Sequence, residues 1–195
     1  YNCATADNLN GDIVVTLLST PLANDDCANA TSLSVSPTST CVTSVSGTTV
    51  GATQSIAGIT CNGGTGNTDD DVWYSFVATA TNHDIAVTTT IDAVIDLRSG
   101  ACNGTNISCE DSTIGGGSEV LNATGLTIGT TYYARIYSYG GSGSEGTFDI
   151  CVTTPVPPVP SNNDCAGATA LTVSGATCTT SVTGTTVNAT QSIAA

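Results

Sequence analysis

Carboxylates are the most abundant ionisable side chains in this chain. Asp69, Asp70 and Asp71 form a run, and Asp111 lies in a second acidic stretch. Carboxylate oxygens are the ligands that Ca²⁺ prefers, so these four residues are candidates for a calcium site. The alternative is that they form acidic loops that keep a lysine-free surface soluble, since neither EF-hand nor RTX spacing is present. We predict no cofactor, and calcium is the only candidate.

Catalytic groups are scarce. His83 is the only histidine, and its polar neighbours before a strand predict a solvent-facing loop position. Serine and cysteine nucleophiles therefore lack a base with an orienting partner. Two carboxylates could hydrolyse a glycosidic bond, but no pair stands out by spacing. We predict that the chain is not an enzyme.

Two tyrosines offer a different chemistry. Tyr137 and Tyr139 alternate along one predicted strand, so both point to the same face. If exposed, they would form a platform on which sugar rings could stack. The alternative is that they belong to the cross-strand aromatic pairs of the core.

The charge balance excludes several partners. The chain has 16 Asp and Glu against 2 basic residues, a net charge of −14. Nucleic acids and anionic membranes both require clustered basic charge. No apolar run reaches the length of a membrane span, so we predict no membrane insertion. Nine cysteines indicate an oxidising compartment, and we predict a secreted, extracellular or cell-surface protein.

An internal repeat suggests how the chain is organised. Residues 162–194 repeat 24–57 with a one-residue gap, and about two thirds of the aligned positions are identical. The run YNCAT at 1–5 also resembles DICVT at 149–153. We predict a tandem array of domain-sized repeats. The expected parts are the tail of a preceding module with a linker strand at 1–23, a complete module at 24–154, a proline-rich linker at 155–161 and the head of the next repeat at 162–195.

Within 1–23, the apolar pattern of residues 12–18 predicts a strand that lies outside the complete module, which we call the orphan strand. It either docks on its own module or pairs with a neighbouring chain. The linker has the composition of a semi-rigid polyproline II spacer.

The repeat guides a prediction of the disulfides. The last repeat contains only Cys165 and Cys178, which correspond to Cys27 and Cys41. If each fragment is self-contained, Cys27 bonds Cys41 and Cys165 bonds Cys178. The short spacing of Cys102 and Cys109 then suggests a local loop closure, which leaves Cys61 for Cys151.

The apolar pattern predicts an all-β fold. Short runs rich in Val, Ile, Thr and Tyr alternate with turn residues, and no helix is indicated. The clearest strand is VWYSFV at 72–77, in which Val72, Tyr74 and Phe76 share one face. We predict an antiparallel jelly-roll or Ig-like β-sandwich, stapled by disulfides.

Three segments carry a family resemblance: DDVWYSF at 70–76, DAVIDLRSG at 92–100 and GLTIGTTYYARI at 125–136. They resemble the bacterial pre-peptidase C-terminal type of β-sandwich, in the Cys-rich tandem form of large surface proteins of Bacteroidetes-type bacteria. The resemblance covers residues 69–152 and implies an accessory or structural module. The six cysteines and the segment 24–57 depart from the simple family pattern.

Acceptor motifs suggest glycosylation, with unmodified polar turns as the alternative. The segment Asp111-Ser112-Thr113 resembles the O-glycan acceptor of Bacteroidetes-type bacteria, at Ser112. The N-x-S/T pattern occurs at Asn29, Asn103, Asn106, Asn122 and Asn188.

Together these observations predict a structural segment of an extracellular filament or surface fibre, serving adhesion or a biofilm matrix. Its partners would be identical or tandem modules, joined by β-strand addition, and glycans. The alternative is a carbohydrate- or calcium-binding accessory module of a secreted hydrolase.

Overall fold

The computed structural model describes residues 22–157 and 159–190, and, for the backbone alone, 3–5 and 15–17. The chain divides into two compact units, Tyr1–Pro155 and Val156–Ala195. The first unit contains a β-sandwich, and the second contains one 3₁₀ turn, Cys165–Gly167.

Short strands make up most of the first unit. Its only described helical segment is the 3₁₀ turn Cys27–Asn29. The strands are β1 (Cys3–Thr5), β2 (Val15–Leu17), β3 (Thr31–Ser32), β4 (Val35–Ser36), β5 (Val45–Thr48), β6 (Thr60–Cys61), β7 (Gly64–Thr65), β8 (Val72–Val77), β9 (His83–Thr89), β10 (Ala93–Ser99), β11 (Asn106–Glu110), β12 (Gly117–Ala123), β13 (Thr131–Ser138) and β14 (Thr147–Thr153).

Two five-stranded sheets form the sandwich. Sheet I has the order β11-β10-β13-β8-β3, and sheet II has the order β12-β9-β14-β4, with β5 also paired to β14. Most pairs are antiparallel, as predicted. The exceptions are β3 on β8 and β4 on β14, which pair in parallel. The all-β sandwich is confirmed, but residues 24–57, which we call the head of the module, do not form the antiparallel run that the sequence suggested.

The core lies between the sheets and follows the alternation of strand side chains. Val72, Tyr74 and Phe76 of β8 all point into it, as predicted, and meet Ile150 and Val152 of β14. Tyr74 and Phe148 pack edge to face at 5.9 Å between ring centroids. Burying such side chains stabilises each by about 1.5–3 kcal/mol.

Sheet I is also covered on its outer face. Trp73 and Tyr137, which point away from the core, are fully buried beneath the segment 53–68. A smaller apolar cluster forms there from Cys61, Val94 and Tyr137, with Cys109 packed against it. The module therefore has a second buried layer that the strand pattern alone does not reveal.

The predicted disulfide pairing of the complete module is wrong. The bonds join Cys27 to Cys102, Cys41 to Cys151 and Cys61 to Cys109. Cys165 and Cys178 are free and exposed, so they do not bond each other.

The register of the sheets explains these pairs. Cys109 lies opposite Asp96 across β10 and β11, so it points to the outer face of sheet I, where β6 brings Cys61. Cys151 points to the outer face of sheet II, since its neighbours Ile150 and Val152 point inward. Cys61 and Cys151 therefore lie on opposite sides of the sandwich.

The positions of Cys27 and Cys41 in the head explain the other two disulfides. Strands β4 and β5 pair with successive parts of the same edge of β14, so the loop that joins them begins and ends beside that strand, and its Cys41 bonds Cys151. Cys27 lies in the 3₁₀ turn and reaches the loop after β10, which contains Cys102.

The predicted orphan strand at 12–18 has a partner. Its described residues, Val15–Leu17, pair with Cys3–Thr5 in antiparallel register. The rest of that prediction lies outside the described residues.

Candidate functional site

A buried arginine organises the outer layer of sheet I. Arg135 of β13 is fully buried, and its Nη2 donates to Asp96 Oδ2 at 2.8 Å. Its Nη1 donates to the carbonyl of Ile56 at 3.0 Å and to Asp71 Oδ2 at 3.2 Å. Its guanidinium carbon lies 4.8 Å from the ring centroid of Tyr137. The network binds the covering segment to the sheet.

Asp71 completes this network. Its carboxylate accepts hydrogen bonds from the backbone and hydroxyl of Ser55 at 3.1 and 2.9 Å, and that hydroxyl accepts one from Trp73 Nε1 at 2.8 Å. Burial raises the pKa of Asp71, although these hydrogen bonds and Arg135 oppose the shift. Both carboxylate oxygens of Asp71 therefore accept hydrogen bonds within the fold and are not free for a ligand.

His83 is not the solvent-facing loop residue that the sequence predicted. It is fully buried at the start of β9. Its Nε2 accepts hydrogen bonds from the backbone of Thr79 and Ala80, both at 3.1 Å, and its Nδ1 lies 3.1 Å from the carbonyl of Thr153. The imidazole joins the loop before β9 to the end of β14, so its role is structural.

A polar cleft opens at one end of sheet I. Its walls are the β6–β7 hairpin, the loop from 111 to 116, Asp92 before β10 and Tyr139 after β13. The cleft, which we call the Tyr139 cleft, has a volume of about 290 Å³. Its lining residues are Asn62, Gly64, Asp92, Asp111, Ser112, Thr113, Ile114 and Tyr139.

Carboxyl groups line the cleft. Asp92 Oδ1 is buried and has no hydrogen-bond partner among the described residues. Burial raises the pKa of Asp111, and repulsion from Asp92, Glu119 and Glu110 adds to the shift. Carboxylate oxygens accept hydrogen bonds, so the cleft can receive the donors of a polar ligand and repels anions.

Two anchors fix the walls of the cleft. Glu119 is buried and accepts hydrogen bonds from the backbone of Ser112 at 3.1 Å and of Thr113 at 2.6 Å. On the opposite wall, the Cys61–Cys109 bond ties the hairpin to β11. The amide of Asn62, which has a φ of 47°, bridges the walls by donating to the carbonyl of Asp111 at 3.0 Å.

The two tyrosines of the predicted platform have different environments. Tyr137 is fully buried, and burial raises its pKa to about 12. Tyr139 is 39% exposed and lines the cleft. It packs so closely on Gly64 that a Cβ at that position would lie 2.5 Å from the tyrosine oxygen. The prediction that both tyrosines form an exposed platform is therefore wrong, because only Tyr139 is exposed.

The four calcium candidates do not meet. Asp71 is bound to Arg135, and Asp70 Oδ1 accepts the backbone N–H of Ser138 at 3.0 Å. Asp69 accepts a hydrogen bond from the exposed Ser142, while Asp111 belongs to the Tyr139 cleft. Across the part of the chain that the structure describes, no three His, Cys, Asp or Glu side chains are placed to hold a metal ion.

The glycosylation candidates differ in accessibility. Asn29, Asn103, Asn122 and Ser112 are exposed. The amide nitrogen of Asn106 donates to Asp96 Oδ1 at 2.5 Å and to the carbonyl of Ser108 at 3.0 Å, so a glycan there would displace at least one of these bonds. The amide of Asn188 donates to the carbonyl of Pro157. Glycosylation at these positions stays a prediction.

The fold and the buried layer define a disulfide-stapled β-sandwich module. Residues 23–150, about two thirds of the chain, match the model of the T9SS-associated family described as galactose binding domain-like. The chain therefore belongs to this T9SS-associated, galactose-binding-domain-like family. Domains of this kind are non-catalytic accessory modules, and the family and the disulfides indicate an extracellular protein.

A solved structure is also similar. The chain is 19% identical to the pre-peptidase C-terminal domain of collagenase from Bacillus anthracis, with a TM-score of 0.41, over 63% of this chain and 93% of that one. The resemblance predicted from the sequence is confirmed, whereas the tandem arrangement stays a prediction. No curated protein matches the chain significantly.

Within 22–157 and 159–190, none of the helical segments is long and apolar enough to cross a bilayer.

Proposed function

We propose that the sandwich is a non-catalytic carbohydrate-binding module of a secreted or cell-surface protein, and that a neutral sugar binds in the Tyr139 cleft. The observation that carries the proposal is the half-exposed ring of Tyr139 beside the unpartnered Asp92 Oδ1. A sugar ring has an apolar face that can pack on an aromatic ring and hydroxyls that can donate to carboxylates.

The charge of the cleft restricts its ligand. Asp92, Asp111 and the neighbouring Glu110 form an acidic group, and the chain as a whole carries a net charge of −14. Acidic or phosphorylated sugars would be repelled at short range. Galactose and galactans are the first ligands to test, because the family is described as galactose binding domain-like.

Titration calorimetry with galactose and neutral galactans tests the proposal. We expect Tyr139→Ala to weaken binding at least about tenfold, since stacked aromatic contacts dominate such sites. Tyr133→Ala is the matched control, because Tyr133 lies on the same face of the strand about 20 Å away. If no neutral sugar binds the wild-type chain, or if Tyr139→Ala binds as the wild type does, the proposal is wrong.

Gly64→Ala offers a second test that leaves the tyrosine in place. The added Cβ would lie 2.5 Å from the hydroxyl of Tyr139 and 3.0 Å from Cε2, so the ring must move. We expect binding to weaken while the melting temperature changes little. Unchanged affinity would show that the position of the ring does not matter.

Calcium binding is the competing use of the same carboxylates. Asp92 and Asp111 are the acidic residues that line the cleft. If a calcium ion is resident, EGTA will lower the melting temperature and calcium will restore it, because a ligand that binds only the folded state stabilises it. Sugar binding that is unaffected by EGTA would separate the two uses.

We propose a second function, the arrangement of such modules in tandem along an extracellular filament or surface fibre for adhesion or a biofilm matrix. It is supported by the repeat of 24–57 at 162–194 and by the proline-rich linker, which extends about 3 Å per residue. Negative-stain microscopy of the native full-length protein should show regularly spaced modules. Images of compact monomers alone would contradict this arrangement.

A further inference from the structure

The loop from 111 to 116 contains the most exposed large apolar side chain of the sandwich. Ile114 is 94% exposed and lines the Tyr139 cleft. Its exposure exceeds that of every other large apolar side chain described within 22–157. A single exposed apolar residue is ordinary on a protein surface, but this one lies on the wall of a cleft that also contains a half-exposed aromatic ring. An apolar contact is therefore available to a ligand at this wall.

Hydrogen bonds on both sides of Ile114 hold this loop in place. Glu119, which is buried, accepts the backbone N–H of Thr113 at 2.6 Å. Gly116 N donates to the carbonyl of Ile91 at 3.4 Å. Gly116 has a φ of 65°, a left-handed conformation that glycine adopts without strain. The loop thus keeps Ile114 in solvent beside the cleft.

Asp92 lies between this loop and the aromatic ring. Tyr139 N donates to the carbonyl of Asp92 at 2.8 Å, which continues the pairing of β10 with β13 by one residue. Residues directly opposite each other on paired strands have neighbouring side chains on one face, so the Asp92 carboxyl group lies beside the Tyr139 ring. The preceding residue, Ile91, bonds the loop that contains Ile114. Asp92 Oδ1 is buried without a hydrogen-bond partner among the described residues, so this oxygen can accept a donor from a ligand.

These features differ in the ligand groups that they suit. A sugar hydroxyl can donate to Asp92 but leaves Ile114 uncovered. An ammonium group can also donate, but it is strongly hydrated and gains nothing from an apolar wall. An acetamido group has both an N–H donor and a methyl group. The cleft volume of about 290 Å³ lies near the lower end of the range for small-molecule sites, so it suits one sugar ring with such a substituent.

We infer that the ligand of the Tyr139 cleft is a neutral N-acetylated amino sugar. The sugar ring packs on Tyr139, the acetamido N–H donates to Asp92 Oδ1, and the acetyl methyl group packs on Ile114. Ile114 is then the residue that selects the substituent at C2 of the sugar. This inference rests on the proposed carbohydrate binding and adds the class of sugar to it.

NMR titration with four galactosides that differ only at C2 tests the inference. The group at C2 is hydroxyl, amino, N-formylamino or N-acetylamino. We expect the N-acetyl sugar to bind about fourfold more tightly than the hydroxyl and N-formyl sugars, because only its methyl group covers Ile114. An N-acetyl sugar that binds no more tightly than galactose would overturn the inference. An amino sugar that binds more tightly than the N-acetyl sugar would also overturn it, because charge would then decide the selection.

Ile114→Ser tests the assigned contact. Because Ile114 is almost fully exposed, the substitution leaves the fold intact, and an unchanged melting temperature checks this. The preference for the N-acetyl over the N-formyl sugar should fall from about fourfold to about one, which a double-mutant cycle measures as coupling between the side chain and the methyl group. A preference that persists in this variant would contradict the contact.

Ile128→Ser is the matched control. Ile128 is 62% exposed and precedes β13, whereas Tyr139 follows that strand at its other end. The control should therefore keep the fourfold preference. Its loss in both variants would show that Ile114 does not select the substituent.

The titrations separate this inference from the proposed function. If galactose binds, Tyr139→Ala weakens it and the N-acetyl sugar gains nothing, the selection by Ile114 is wrong while the carbohydrate-binding module stands. If none of the four sugars binds, both are wrong.

Discussion

Both cations of the chain meet at one carboxylate. Arg98 and Arg135 are the only basic residues, and both donate to Asp96 Oδ2, from Nη2 at 2.9 and 2.8 Å. Asn106 donates to the other oxygen. All three charged side chains are buried, and a buried charge is costly unless it is paired and hydrogen-bonded. Asp96 is therefore the residue on which the outer layer of sheet I depends.

Replacing Asp96 tests this dependence. Asp96→Asn leaves two buried arginines without their shared counter-charge, so we expect the free energy of unfolding to fall by about 3–5 kcal/mol. Urea denaturation measures it. Asp84→Asn is the control, because Asp84 pairs only with the exposed Asn122 and should cost less than about 1 kcal/mol. Equal losses in the two variants would contradict the role of the network.

At the scale of elements, the β6–β7 hairpin shows how a very short strand pair is held. Each strand has two residues, Thr60–Cys61 and Gly64–Thr65. An isolated hairpin of this size is not stable in water. Its position depends on the Cys61–Cys109 bond and on the packing of Tyr139 against Gly64. The hairpin forms one wall of the Tyr139 cleft, so the disulfide supports the proposed site.

Removing that disulfide should affect binding as well as stability. Cys61→Ser with Cys109→Ser opens a loop with a sequence separation of 48, which the chain-entropy model relates to about 4 kcal/mol of stability. We expect the variant to bind neutral sugar at least about tenfold more weakly even where it is fully folded, because one wall becomes mobile. Calorimetry at a temperature well below the melting point separates the two effects.

The matched comparison is Cys41→Ser with Cys151→Ser. That bond joins the head to the outer face of sheet II, away from the cleft. Its removal should lower the melting temperature while leaving the affinity of the folded protein unchanged. A similar loss of affinity in both variants would mean that the first result reports general loosening.

At the scale of the whole molecule, the negative net charge and the burial of carboxyl groups both favour protonation of the folded state. The net charge is −14 and the isoelectric point is about 4.1, so the folded state carries strong self-repulsion at neutral pH. Burial raises the pKa of Asp70, Asp71 and Asp111 above the ordinary value of 3.8. Between that value and the raised values, the folded state binds more protons than the unfolded state.

This proton balance predicts the pH dependence of stability. The unfolding free energy decreases with rising pH wherever the folded state holds more protons, so we expect the melting temperature to rise as the pH is lowered through the raised pKa values towards 3.8. Calorimetric scans across this range measure it. Asp111→Asn removes one of the three groups and should flatten the profile. A melting temperature that falls throughout this range would show that other groups dominate.

The sequence by itself determined the class of fold. Alternation along a strand is a local property, so the inward face of β8 and the all-β sandwich could be predicted from the printed residues. The prediction that nucleic acid is not a partner likewise rests on composition, because it counts charges without needing their positions.

Only the tertiary structure decided which distant residues meet. The sequence does not show which outer face of the sandwich each half-cystine reaches, and so the predicted disulfides were wrong. The burial of His83 and Tyr137 likewise depends on segments that are remote along the chain. The Tyr139 cleft is assembled from four such segments, so no local pattern could reveal it. Burial is a property of the packed chain, and a periodic pattern shows only which side chains share a face.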